Sequence, residues 1–496
     1  MNGDLVRMPA PAHALDAVQA PLPAKLDVWS ATTGPLTITY AFENQQSSEF
    51  LRSYTGWTGW TTDEKEAVRR GLSEYESVVN VRFVEVVAGS ADPVIAFGRV
   101  DVASVAETWW RLTTGPDATG QVAIKRWDAG VVFDNGRDLT DPAAQWLILH
   151  EIGHAMMLKH TGDYDTTGKT TPGPLLPAAE DNRDYTVMSY VRGDDAAVAL
   201  QLQLYDVAAL HARWGPNTQE AAGNSVYTFA DDPGIFAIWD TGGVDRIDAS
   251  GAVGAADINL AEGSFSRLDG QNRISIAWGA QIEDAAGGDS ADRIRGNDLG
   301  NHLTGGSGGD TIEGGTGLDF LRGGDGDDSI VGGADFDDAH GNTGDDTVSG
   351  GMGDDWVVGG KDHDLLFGDE GHDAVLGNIG ADTLQGGGGD DVVRGGQDHD
   401  QVSGGDGADF ISGDRGDDTL SGGAGADSFH TFAGSGVDRV MDFNRAEGDR
   451  VQLLPGALAT ATFSQVGADV VIESGDGGQL ILVGVQLSSL TDGWIL

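Results

Sequence analysis

No cysteine occurs among the 496 residues, so no disulfide braces the fold and no thiol acts as a nucleophile. A long secreted protein without cysteine needs another brace, and metal is the obvious one. Positive charge is also scarce. Lys and Arg number 29 against 79 Asp and Glu, a formal charge of −50. That balance argues against nucleic acid or an anionic membrane surface as partner, and for cations. No apolar run approaches the ~18 residues of a membrane span. The first 30 residues lack the apolar stretch of a Sec-type signal peptide. What is abundant is glycine, 77 residues, where a usual share is about 7%. The length permits two or three domains.

The stretch His150-Glu151-Ile152-Gly153-His154 reads H-E-x-x-H, with a third histidine at His160. On a helix, His150 and His154 lie one turn apart and leave the same face, where two imidazoles can hold one zinc ion. Glu151 can then reach a water on that metal. His160 is too far along for a straight helix and returns only if the helix ends and the chain folds back. Asp141-Pro142 supplies an N-cap and a first-turn proline for this helix. Thr61 and Glu64 form a capping box for an amphipathic helix to about Asn80, carrying Val68, Leu72, Tyr75 and Val79. A last helix, about Leu204 to Trp214, stops at Gly215-Pro216. Strands are expected at Leu36–Phe42, Val81–Val87, Pro93–Phe97 and Val131–Phe133. Trp109-Trp110 reads as packing on an edge strand rather than as a cleft lining.

Downstream comes Val187-Met188-Ser189-Tyr190. H-E-x-x-H, a histidine ten residues after the first and a later V-M-S-Y resemble a metzincin protease. Asp163-Tyr164 and Leu204-Tyr205-Asp206-Val207-Ala208-Ala209-Leu210 narrow the resemblance to the serralysin type. The resemblance implies one catalytic Zn2+ on His150, His154 and His160, with Glu151 as general base. It also implies Met188 in a Met-turn beneath the metal and Tyr190 as a switchable ligand that turns to the oxyanion. The family motif has a glycine where Met157 stands; if the turn needs φ > 0, Met157 costs ~1–3 kcal/mol. Thr161 stands where the family usually has proline.

From Gly287 the chain keeps a nine-residue register for sixteen units, as in Gly323-Gly324-Asp325-Gly326-Asp327-Asp328-Ser329-Ile330-Val331. This is the G-G-x-G-x-D-x-U-x pattern of RTX calcium-binding repeats. Glycines permit φ > 0 so that carbonyls aim inward, and the sixth-position aspartate adds a hard oxygen for calcium. The candidate ligands are Asp310, Asp319, Asp328, Asp346, Asp355, Asp373, Asp382, Asp391, Asp409, Asp418 and Asp427. Residues 287–430 hold 32 Asp and Glu against 6 Lys and Arg, a net of 6 − 32 = −26. One inward aliphatic per nine residues is too little core against that repulsion, so binding and folding are expected to be one event. Asn301 replaces an aspartate, Asp335, Asp362 and Asp398 replace glycines, and Ala339 replaces a large aliphatic; sites there are expected to be altered. Asp240–Asp248 already resembles the repeat chemistry, as a calcium segment or as a plain glycine-turn hairpin.

The expected fold is an α+β metzincin-like catalytic domain, then an all-β parallel β-roll with a β-rich C-terminal cap. The expected divisions are a leader at 1–34, a zinc protease domain at 35–219 and a β-rich bridge at 220–286. The roll at 287–430 and the cap and secretion signal at 431–496 follow. The expected protein is a secreted, extracellular, bacterial zinc metalloendopeptidase and a monomer, stabilised by several Ca2+ ions. It acts on proteins or peptides, and an acidic-then-apolar C-terminus (Asp492 to Leu496) suits type I secretion. It has no nucleic-acid partner and no membrane span. The alternative is a calcium-binding RTX surface or adhesive protein with an inactive protease-like domain.

Overall fold

The computed structural model describes residues 35–46, 50, 52–89, 93–116, 122–162, 175–192, 201–219, 222–229, 235–432, 434–455, 457–474, 477–490 and 493–495. The leader, Asp163-Tyr164, Asp492 and Leu496 lie outside these.

The first part is a five-stranded sheet backed by three helices. Its strands are β1 (Leu36–Glu43), β2 (Val81–Glu85), β3 (Ile95–Val100), β4 (Ala106–Pro116) and β5 (Val122–Asp134), in the order β2-β1-β3-β5-β4. All neighbours are parallel except β4, which runs antiparallel to β5 and forms the edge. The expected strand at Val131–Phe133 is thus the end of a long hairpin arm. Helix α1 (Thr62–Val78) starts at the Thr61–Glu64 capping box and buries Val68, Leu72 and Tyr75. Helix α2 (Gln145–Ala155) follows a 3-10 turn at Pro142–Ala144, which Asp141 caps through the Ala143 N–H at 2.9 Å. Helix α3 (Leu204–Trp214) ends at Gly215, φ 73°.

Why α2 sits so deep follows from its sequence. Leu147, Ile148, Leu149 and Ile152 leave it no polar face wide enough for solvent, and all four are buried. Gly71 on α1 lets the two helices approach, because a Cβ there would press on Ile148. The Tyr75 hydroxyl donates to the Leu149 carbonyl at 2.8 Å and fixes their register.

The C-terminal part is a parallel β-solenoid of two facing sheets. Each strand pairs with the strand two units on, a register of 18 residues: Leu303 opposes Leu321, and Ile312 opposes Ile330. The eighth residue of each unit points inward and is buried, Ala339 included. Strands run longer than the three residues expected. Ser329–Ala334, for example, continues into the glycines of the next unit. Asp335, Asp362 and Asp398, which replace fourth-position glycines, keep positive φ of 75°, 76° and 77°. Asp and Asn are the non-glycine residues that tolerate this region best. The solenoid closes with Thr462–Val466, Asp469–Glu473 and Gln479–Leu482, an antiparallel cap. One cluster of buried apolar side chains runs from Ile38 in β1 to Trp494. No helix among the described residues is long and apolar enough to cross a membrane.

Candidate metal centre and carboxylate ladder

Helix α2 presents His150, Glu151 and His154, then stops after Ala155, and the chain turns back to bring in His160. The His160 Nε2 lies 3.1 Å from His150 Nε2 and 3.0 Å from His154 Nε2. Backbone carbonyls decide the tautomers, because a carbonyl only accepts. His150 Nδ1–H donates to the Val187 carbonyl at 2.8 Å and His154 Nδ1–H to the Leu158 carbonyl at 3.0 Å. Their Nε2 atoms are therefore lone pairs aimed at one point. Burial, with the neighbouring imidazoles, pushes His150 far below the usual histidine range and His154 down to about 3; burial lowers His160 as well. Three imidazoles, two of them oriented by backbone carbonyls, form a donor set that fits zinc. They are also the one such group of metal-ligating side chains among the described residues.

The turn that returns His160 does need positive φ. Met157 adopts φ 69° and is fully buried. Its N–H donates to the His154 carbonyl at 2.9 Å, and the next N–H, of Leu158, to Gly153 at 2.8 Å. The Met157 sulfur rests 3.7 Å from Arg213 Nη1 of α3, and Trp214 Nε1 donates to the Met156 carbonyl at 3.1 Å. The end of α3 thus clamps the turn. Thr161 is held by its hydroxyl on Asp181 Oδ1 at 2.7 Å.

Below the histidines, the Met188 sulfur packs against Gly153, where any Cβ would strike both it and the Tyr75 hydroxyl. Asp206 of α3, fully buried, accepts from the Thr186 hydroxyl at 2.6 Å, the Val187 N–H at 2.8 Å and the Gln203 N–H at 3.0 Å. Through the Val187 N–H it fixes the residue whose carbonyl orients His150. The half-exposed Tyr190 ring stands 5.2 Å from the His150 ring and 4.7 Å from the His160 ring. Trp146, 5.2 Å from His150, carries the Arg183 guanidinium on its face at 3.5 Å. The Glu151 carboxyl is buried, which pushes it up to about 7. It accepts from the Thr108 hydroxyl of β4 at 2.5 Å, which offsets part of that rise. Sequence reading missed Thr108, Arg183 and the role of Asp206. All three act across long loops, where spacing carries no signal; Asp206 alone lay inside a quoted motif. Trp109 packs on Phe50 at 6.0 Å.

In the solenoid, the sixth-position aspartates form two ladders. From Asp310 on, Oδ1 accepts the backbone N–H of the sixth-position residue one coil earlier, which is Asn301 for Asp319 and an aspartate otherwise, as from Asp310 to Asp328 at 2.7 Å and from Asp373 to Asp391 at 2.9 Å. Oδ2 of each is buried without a hydrogen-bond partner. This holds for Asp310, Asp319, Asp328, Asp346, Asp355, Asp373, Asp382, Asp391, Asp409, Asp418 and Asp427. Asp337, Asp364 and Asp400 stand the same way, although their units carry aspartate for glycine. Burial pushes these carboxyls up, Asp310 to about 7 and Asp364 and Asp400 to about 8. A Cβ on Gly305 would collide with both Asp310 Oδ2 and the Gly323 carbonyl, so the two oxygens share one cradle. Unpaired carboxylate oxygens facing carbonyls are the hard-oxygen surroundings that fit calcium. In the bridge, Asp245 Oδ2 is likewise buried and unpartnered, with Asp240 and Glu283 nearby.

A solenoid of such repeats beside a three-histidine cluster defines the class, a repeat protein with a candidate metallohydrolase centre. Residues 215–460 match the family model described as Peptidase M10 serralysin C terminal. That match covers just under half of the chain. Serralysin from Proteus mirabilis is 34% identical over 290 residues, 51% of this chain and 58% of that one. Serralysin from Photorhabdus laumondii is 30% identical over 277 residues, 51% and 57% respectively. The metallopeptidase AprA of Pseudomonas marginalis is 30% identical over 289 residues, 52% and 60%. The chain spans less than two thirds of the length of these relatives. Among solved structures, the extracellular lipase LipA from Serratia marcescens matches 36% of this chain and 40% of its own at 19% identity. Its TM-score of 0.16 is too slight to bear on the fold.

Proposed function

We propose that the chain is a secreted, zinc-dependent metalloendopeptidase with a metzincin-like domain at 35–219, stabilised by calcium in its repeats. The convergence of the three Nε2 atoms beside the buried Glu151 carboxyl carries this reading. Zinc on His150, His154 and His160 would acidify a bound water and polarise the scissile carbonyl. The protein groups then do the rest. Glu151, held on one oxygen by Thr108, takes the proton of the attacking water and passes it to the leaving amine nitrogen. The Tyr190 phenol, poised over the imidazoles, donates to the developing oxyanion. β4 is the edge strand of the sheet among the described residues, and its outer side, beside the Thr108 that touches Glu151, suits an extended peptide added as a further strand. The bond is cleaved with no covalent intermediate on the enzyme.

The test is casein hydrolysis in calcium buffer by wild type and Glu151→Ala, with zinc assayed on both. Wild type is expected to cleave and to lose activity on chelation of zinc. The variant is expected to lose at least ~10²-fold while keeping the metal, as for removal of a general base. A wild type that neither cleaves nor holds zinc would sink the proposal. It would favour a calcium-loaded repeat protein with a retired catalytic domain.

A further inference from the structure

The two outer faces of the solenoid differ. On one sheet the seventh residue of each unit points out, and the strand pairing stacks Phe320, Asp338, Trp356, Ala374, Val392 and Phe410 in one column. Exposed large side chains recur in it at every second coil: Phe320 is 49%, Trp356 46% and Val392 41% exposed. Between them Ala374 is short, and Asp338 is tied down by Arg322 at 3.0 Å. Phe410, the next rung, packs on the His430 ring at 5.6 Å between centroids and closes the row. At the same position the other sheet carries Ser329, Thr347, Thr383 and Gln401, with Leu365 as the apolar exception. The aromatic stripe is also close to neutral. Its two arginines, Arg322 and Arg394, are each paired with an aspartate, Asp338 at 3.0 Å and Asp414 at 2.9 Å, on a segment whose net charge is −26. Burial lowers His340 and His430, so neither adds charge at neutral pH.

We propose that this face binds an uncharged β-linked glucan chain, laid along the solenoid axis with one disaccharide to every two coils. Neighbouring strands lie about 4.8 Å apart, so the step from Phe320 to Trp356, and again to Val392, is about 10 Å. An extended β-linked glucan turns each ring over relative to the last, so its repeating unit is a disaccharide of that length. Each glucose ring has an apolar face of C–H groups, which an exposed aromatic or aliphatic side chain covers. The exposed Arg394 guanidinium borders the row and can donate to the hydroxyls at the ring edge. Charge decides between occupants. Two copies of a chain of charge −50 repel one another, and a polyanionic glycan meets the same repulsion from the array. A neutral stripe on so acidic a body suits a neutral polymer. The inference does not depend on the protease reading.

Native gel electrophoresis of the full-length protein in calcium buffer, with hydroxyethylcellulose cast into the gel, tests this; dextran, an α-linked glucan, is the control polymer. Wild type is expected to be retarded by hydroxyethylcellulose and not by dextran. Trp356→Ala is expected to weaken the apparent affinity at least ~5-fold, and Leu365→Ala, on the other sheet, to leave it unchanged. Val392→Trp lengthens the aromatic row and is expected to strengthen binding ~3-fold or more. Circular dichroism checks the fold of each variant. No retardation of wild type, equal retardation by dextran, or a Trp356→Ala variant as tight as wild type overturns the inference. Should Trp356→Ala fail to fold, Val392→Trp decides, since no gain there also overturns it. A wild-type dimer in sedimentation that Trp356→Ala dissociates would assign the face to a second copy and likewise overturn it. Activity on casein plays no part in the readout.

Discussion

Met157 sits at φ 69°, where a side chain is strained by about 1–3 kcal/mol, yet the position is fully buried and its sulfur meets Arg213. Two effects of opposite sign meet there. A glycine would release the strain, but it would also empty the space of a methionine side chain, which costs about 2–5 kcal/mol in a core. The second effect is the larger. Met157→Gly is therefore expected to lower stability by about 1–3 kcal/mol in urea unfolding, although glycine is the residue the metzincin motif carries. A gain in stability would show that packing against α3 counts for little. The H-E-x-x-H spacing was legible because one helical turn is a property of the local chain. The answer to the Met157 question was not, since it depends on α3, more than forty residues away in sequence. Thr108 was out of reach for the same reason.

Among the elements, α1 and α3 were read nearly to their ends, because caps and a stop at Gly215 are written in adjacent residues. The β4–β5 hairpin was not. Its register shifts at Thr113–Thr114, which breaks the alternation a strand pattern relies on. Helix α1 also carries a test of its own. Glu74 faces the cavity of about 450 Å³ between α1 and the strands Val226–Thr228 and Phe236–Ile238. Burial pushes its carboxyl up to about 7. The folded pKa lies above the unfolded value of about 4.3. The matching stability is present below about pH 4 and lost as pH rises through about 7. Glu74→Gln does not titrate, so its advantage should grow with pH. It is expected to be near zero at about pH 4 and about 1–3 kcal/mol at about pH 8, read by calorimetry at fixed zinc and calcium. An advantage that shrinks with rising pH would contradict a buried, unpaired carboxyl.

For the whole molecule, the largest number is the charge of −50, more than half of it in the repeats. The fold brings buried carboxylates into vertical rows with a bare oxygen on each, which costs free energy unless cations sit between them. Chelating calcium from the full-length protein at neutral pH and low salt is expected to lose most of the far-UV β signal and to expand the hydrodynamic radius. Restoring millimolar calcium should reverse both. A spectrum indifferent to the chelator would mean that the array is held by its apolar column alone. The nine-residue register made the solenoid legible in the sequence, down to which residue of each unit points inward.

The 18-residue pairing step has a consequence for how such a chain changes length. Removing or inserting 18 residues takes out or adds a whole coil and leaves every later strand in its own sheet with the same neighbours in kind. Removing nine keeps the motif intact to the eye but exchanges the two sheets for everything downstream. The cap that now completes one sheet at Val437–Val440 and the other at Arg450–Leu453 would then meet the wrong partners. Growth and loss in this array are therefore quantised in pairs of repeats, and an odd number is a frameshift of the fold rather than of the gene.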